Sequence, residues 1–313
     1  MLGKTANGLY WMFRYLERSE NTARLVETGQ RLALSQSGGR DSEWRSIVET
    51  AGESAGFDAL HDAATKETAV DWMLRSKENS SSILSCIIAA RMNARTVRAA
   101  LTHEVWESVN SAYMTATSIL ARKVTERDLP KALGTIRRCT ALVRGATHGT
   151  MMRNDIYNFA RIGTFLERAD NTARILDIKY YVLLPSVSFV GSPVDNVQWE
   201  TILRSVSGYG GYRLAYGNNP NPRDIAQFLI LDRRFPRSIA FCTHKLRDNL
   251  EHLALDYDGR MPSLEQIEQY EEKNRAQTIE GVFEYGLHEF IQKVLNQISG
   301  LSGQIEIDYR FYE

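Results

Sequence analysis

The sequence predicts an all-α protein, a helical bundle built from two similar helical repeats related by a pseudo-twofold axis. Three observations carry that expectation. There are 7 prolines in 313 residues and none before Pro130, so the first half offers long stretches without an interior helix breaker. Apolar residues recur mostly at helical spacing. A charged decamer is also written twice, as YLERSENTAR from Tyr15 and FLERADNTAR from Phe165, with only mild changes between the copies.

Taken in order, Asn7-Gly8 predicts a turn and cap before a first helix that runs to about Leu34, where SQSGGRDS breaks it. A second helix is expected over Trp44 to Glu53, a third over Lys66 to Arg75, and a fourth from Ser80 to about His103. Ser80-Ser81-Ser82 suits its N-cap. A fifth covers Glu104 to Lys123, and Pro130 opens a sixth that fades near Gly149.

The second half repeats the plan. A long helix over 154–183 is closed by Pro185, and Trp199 begins a helix as Trp44 does. LILDRRFPRSIAF from Leu229 then aligns with WMLRSKENSSSILSC from Trp72. Two repeats, 1–150 and 151–313, packed as one globular unit, are the expected organisation. SGYGGYR at 207–213 lacks the GK[ST] ending of a phosphate loop and reads as a turn. RRFPR at 233–237 is a small basic cluster that reads as a solvated turn, with contact to an acidic partner as the alternative. The terminal GQIEIDYRFYE alternates Ile305, Ile307, Tyr309 and Phe311 with no strand to pair with, so it reads as an extended tail.

Composition narrows function. With 38 basic and 38 acidic residues, no basic excess favours nucleic acid. No window has the roughly 18 to 20 apolar residues needed to span a bilayer, and Arg14, Glu17 and Arg18 interrupt any signal-like start. Cys86, Cys139 and Cys242 are isolated, which suits reduced, buried thiols in a cytoplasmic protein. The six histidines are scattered, the five tryptophans read as core, and no nucleophile–base–acid triad can be assembled from spacing.

Helical geometry sharpens the meaning of the decamer. Leu9, Met12, Leu16 and Ala23 form an apolar stripe with Glu20 inside it; Arg24 and Glu17 line its edge, while Arg14 and Arg18 point away. In the second copy Phe159, Ile162, Leu166 and Ala173 form the stripe, with Asp170 inside it and Glu167 and Arg174 beside it. A carboxylate so placed needs a cation, several hydrogen bonds or a proton. Arg24 and Arg174 each follow an acid by four residues, the spacing of a helical ion pair. If the halves pack through these helices, Glu20 and Asp170 face one another.

Three readings stand open. The first is a structural polar network that sets register. The second is a pocket in which arginines grip a carboxylate or phosphate and acids hold an amine. The third is a carboxylate metal site from Glu17/Glu20 and Glu167/Asp170. Against it, no His follows either pair at bundle-site spacing and the neighbouring arginines repel a cation, so no metal and no cofactor is expected.

NGLYWMFRYLERSENTARLVE, RIGTFLERADNTARILD and NSSSILSCIIAARMNARTVRAALTHEVWESVN resemble the bacterial alpha-E domain (DUF403) family over essentially the whole chain. The resemblance implies an all-helical protein and a genetic setting beside a circularly permuted ATP-grasp ligase, often with a transglutaminase-like cysteine peptidase. It assigns no catalytic residue. The motif positions it matches are Glu17, Arg18, Glu20, Asn21 and Arg24, with Glu167, Arg168, Asp170, Asn171 and Arg174; SGYGGYR departs from the helical segment expected there. The function expected is that of a helical accessory presenting an amino acid or small peptide to an amide ligase from a polar cleft. The alternatives are an enzyme using Glu20 or Asp170, raised in pKa by burial, as general acid or base, and a purely structural assembly protein.

Overall fold

The computed structural model describes residues 1, 3–35, 40–181 and 193–312, and among them all regular structure is helical. In chain order the α-helices are α1 (Gly3–Ser35), α2 (Arg40–Thr50), α3 (Ser54–Asp58), α4 (Lys66–Arg75), α5 (Ile83–Thr96), α6 (His103–Ile119), α7 (Leu129–Thr150) and α8 (Asp155–Tyr181). They continue as α9 (Pro193–Ser205), α10 (Tyr209–Tyr216), α11 (Pro222–Ile230), α12 (Ile239–Asp256), α13 (Pro262–Arg275), α14 (Ile279–Tyr285) and α15 (Leu287–Asp308).

Local chemistry starts many of them. The Thr65, Ser82, Thr102, Asn221, Ser238 and Thr278 side chains each accept from the backbone N–H three residues on, at the starts of α4, α5, α6, α11, α12 and α14. Pro130, Pro222 and Pro262 stand in the first turns of α7, α11 and α13, where no intrahelical N–H is needed.

α1 and α8 pack on each other at the centre. α5 and α7 cover α1, and α12 and α15 cover α8; α9 also reaches α1, and α2 reaches α8. The crossing is close because α8 carries Gly163, where a Cβ would stand 2.3 Å from the Tyr10 carbonyl oxygen. The apolar core runs through both central helices, with Leu9, Tyr10, Met12, Phe159, Phe165 and Leu166 all buried. Leucine, isoleucine and aromatic burial of this extent is the main stabilising term.

Several expected elements differ. α1 begins at Gly3, so Asn7 and Gly8 are interior: Asn7 Nδ2 donates to the Phe311 carbonyl at 3.3 Å, and a Cβ on Gly8 would lie 2.4 Å from Val97 Cγ1. Gly8 serves close packing, not a turn. α2 starts at Arg40, four residues before Trp44, and ends at Thr50. The expected fourth helix stops at Thr96; a 3-10 turn over Arg98–Ala100 follows, and Thr102 caps α6. α6 ends at Ile119 and α9 starts at Pro193, not Trp199. The expected breaks at 36–39 and at Pro185 lie outside the described residues.

SGYGGYR is a turn only at its start, where Ser207 has φ 55°: α10 begins at Tyr209, and Tyr212 stacks on Tyr216 with Phe228 against its edge. Tertiary packing overrides the low helix propensity of Gly210 and Gly211. The terminal segment is helical to Asp308, because Ile298, Leu301 and Ile305 share a buried face at helical spacing while Ile307 is exposed. A two-residue period also samples opposite sides of a helix.

Candidate functional site

The twin decamers lie at the α1–α8 crossing, and they bond to each other reciprocally. Glu17 takes Arg168 Nε and Nη2 on its two carboxylate oxygens, both at 2.9 Å. Glu167 takes Arg18 Nε at 2.6 Å and Arg18 Nη2 at 2.9 Å. Both are two-pronged guanidinium–carboxylate pairs, the geometry that best offsets charge burial.

Each pair carries further donors. Arg14 Nε reaches Glu167 at 3.0 Å, and its Nη1 donates to Tyr10 and to Ser302, at 3.1 and 2.9 Å. From α7, Arg144 Nη1 reaches Glu17 at 3.3 Å and Glu20 at 2.8 Å. Arg237, in the turn before α12, stands 2.9 Å from Glu17 Oε1 and donates to Glu20 at 2.8 Å and to Asn21 Oδ1 at 3.0 Å. Arg24 Nη2 and Thr140 Oγ1 complete the shell of Glu20, at 2.7 and 2.9 Å.

Six guanidiniums therefore surround three carboxylates, and the electrostatics follow. Burial pushes Glu17 upward, but Arg168, Arg237 and Arg144 outweigh it and hold the carboxyl well below the usual range. Burial and the nearby Glu17 push Glu20 upward too, yet Arg237, Arg144 and Arg24 hold it down at about 2. Glu167, against the same burial, is held at about 2 by Arg18 and Arg14. The surplus of positive charge falls on Arg237. Its burial is the largest cause of a pKa lowered to about 10; Arg168 and Arg24 add to the lowering, and Glu17 and Glu20 oppose it. Glu20 is thus firmly ionised, the opposite of the raised carboxyl that general-acid work requires.

Glu20 and Asp170 do not meet as a facing pair. Glu20 is sealed, its side chain 1% exposed, whereas Asp170 is 22% exposed and takes its contacts from Arg174, the nearer at 2.7 Å. Asn21 is buried and Asn171 half-buried. Arg14 and Arg18, expected to point away, turn into the crossing instead. The single-stripe reading fails because α1 is covered on several sides, so more than one of its faces is interior. RRFPR is likewise no simple solvated turn, since Arg237 is buried under the network. Arg14, Arg144, Thr140 and Arg237 are the members that the decamer alone does not reveal.

Asp170 opens on a cleft of about 770 Å³ between α1, α2, α8 and α15, which Arg14, Arg18, Arg174, Glu49 and Asp177 also line. Asp177 accepts from Gln292 Nε2 at 2.8 Å and stands 2.6 Å from His288 Nδ1. Among the described residues no group of three or more His, Cys, Asp or Glu side chains is placed to hold a metal, and no helix is long and apolar enough to cross a membrane.

A family described as a predicted alpha-helical domain with a conserved ER motif, named alpha-E, matches residues 1–309. The chain belongs to the alpha-E family. Of the three Glu-Arg dipeptides in this alpha-E protein, 17–18 and 167–168 make the reciprocal pairs and 126–127 lies elsewhere. No curated protein and no solved structure is significantly similar to the chain.

Proposed function

We propose that this alpha-E protein is a non-catalytic helical accessory that holds an amino acid or small peptide for an ATP-grasp-type amide ligase. The observation that carries this reading is the cleft at Asp170. Its volume suits a small ligand, and its walls set arginines and carboxylates side by side, as recognition of a zwitterion needs. The buried glutamates of the crossing are held ionised by arginine, which speaks against their use as proton donors. The partner class comes from the family resemblance, which also implies a transglutaminase-like peptidase in the same setting.

We further infer that residues 1–150 and 151–313 are two copies of one helical unit about a pseudo-twofold axis. Reciprocal contacts are what a twofold relation produces. Here Glu17 pairs with Arg168 as Glu167 pairs with Arg18, and α9 meets α1 as α2 meets α8.

The test is reconstitution. The protein is cross-linked in its native host, the captured ATP-grasp ligase is identified, and its amide formation is assayed with and without this chain. The expected result is amide formation that needs the chain and weakens with Asp170→Asn. A ligase indifferent to the chain would sink the accessory reading. The purely structural reading has its own support in the fully paired Glu17, Arg18, Glu167 and Arg168; it predicts variants that lose stability and nothing else.

A further inference from the structure

The two halves differ at the residue that precedes one pair of helix caps. Ser238 caps α12 and Ser82 caps α5, and four residues later Cys242 and Cys86 each approach the carbonyl two residues before the cap, both at 3.8 Å. The residue immediately before the cap is Arg237 in one half and Ser81 in the other. Arg237 inserts its guanidinium between Glu17, Glu20 and Asn21. Ser81 has only a hydroxyl, 3.4 Å from Arg18 Nη1. Beside it lies a cavity of about 170 Å³ bounded by Asn21, Glu167, Asp170, Asn171 and Arg174. It shares Arg18, Thr50, Asp170 and Arg174 with the larger cleft.

The lining is unbalanced in an informative way. Glu20 receives Arg24, Arg144, Arg237 and Thr140, whereas Asp170, its counterpart, receives Arg174. Asn21, another residue of the lining, is buried, and its Oδ1 accepts from Arg237. That leaves Nδ2 as a buried donor with no partner among the described residues. The cavity thus presents a carboxylate, Asp170, with one guanidinium where Glu20 has three.

We propose that this cavity binds a guanidinium-bearing amino acid. Its guanidinium lies on Asp170 as Arg237 lies on Glu20, and the rest of the molecule, with its carboxylate, extends into the larger cleft that Arg14, Arg18 and Arg174 line. This names the ligand class of the accessory reading and rests on it. A planar guanidinium is favoured over an ammonium because its fork matches a carboxylate with two parallel N–H bonds.

Calorimetric titration with L-arginine, L-lysine and L-glutamate tests it, using the full chain and two variants. L-arginine should bind saturably and more tightly than L-lysine, with L-glutamate inert. Asp170→Asn should weaken arginine by about tenfold or more, the loss of one charge-assisted contact. Ser81→Arg supplies the guanidinium from the chain and should abolish binding while leaving the melting temperature unchanged or higher. If Ser81→Arg does not fold, the partly exposed Asp170 still decides the matter. Glutamate binding without arginine would overturn the cation assignment and leave the amino-acid cleft intact. Arginine binding untouched by Asp170→Asn overturns the site. No binding of any probe, with the ligase still stimulated by the chain, overturns the ligand and keeps the partner.

Discussion

Arg237 and Glu20 close a 2.8 Å ion pair across 217 positions of sequence, from the turn before α12 into the middle of α1. Arg237 also meets Glu17 and Asn21, so it ties the second half of the chain to the first at one point. Removing one member of a buried pair strands the other's charge; Glu20→Gln takes a carboxylate from Arg237, whose cation burial already disfavours, and should cost about 3–5 kcal/mol in urea denaturation. Arg237→Gln should cost less, because Glu20 keeps Arg24 and Arg144, and the double variant Arg237→Gln/Glu20→Gln, which leaves no stranded charge at Arg237, should cost clearly less than the two single losses added. Additive losses would show that the pair is not coupled.

Acid should unfold this protein progressively. Glu20 and Glu167 are held at about 2 when folded, and Glu17 is also depressed, against about 4.3 in an unfolded chain. Between those values the unfolded state binds more protons, so stability rises with pH there. The contribution is fully present above the unfolded value and is lost as pH falls through the folded one. Urea midpoints should therefore drop steadily from about pH 5 to about pH 2. Glu167→Gln should flatten that slope; a midpoint independent of pH across this window would contradict the burial of ionised glutamates.

The helical class is legible from proline placement and periodicity, and the rough bounds of the expected third helix coincide with α4, which the structure shows capped by Thr65. The decamer marked the crossing through Glu17, Arg18, Glu167 and Arg168. Their partners were not legible. A wheel drawn for one helix treats it as having a single buried side, so it sent Arg14 and Arg18 to solvent when both close on Glu167. Arg237 arrives from a turn, where charged residues ordinarily face water, so nothing in its own segment marks it as buried. The terminal segment was misread because Ile305 and Ile307 fit a strand alternation as well as two sides of a helix.

Thiol chemistry should separate the three cysteines. Burial pushes Cys86 and Cys242 up to about 12, with Arg18 and Arg168 respectively opposing it, so neither supplies thiolate near neutrality. Cys139 is raised too, mainly by desolvation, but it is only half-buried. A disulfide reagent at pH 8 should label Cys139 first and slowly, and reach all three thiols only in denaturant. Rapid labelling of Cys86 would mean that α5 opens readily from α1.

Gly163 gives the sharpest steric test of the crossing. Glycine inside a helix is ordinarily about 1 kcal/mol worse than alanine, so Gly163→Ala would stabilise α8 if only that helix mattered. Here the added Cβ would stand 2.3 Å from the Tyr10 carbonyl oxygen and 3.1 Å from its carbon. Those are backbone atoms of α1 and cannot swing aside as a side chain can. The helices must separate, which lengthens the Glu17–Arg168 and Arg18–Glu167 pairs together. Overpacking of this kind costs about 1–3 kcal/mol or more, so Gly163→Ala should lower the melting temperature despite its higher helix propensity. The control is Gly145 on α7, where nothing lies within 4 Å of the added Cβ. Gly145→Ala should raise the melting temperature slightly. If the two substitutions shift it alike, α1 and α8 do not cross at Gly163 and the reciprocal pairing cannot have the geometry described.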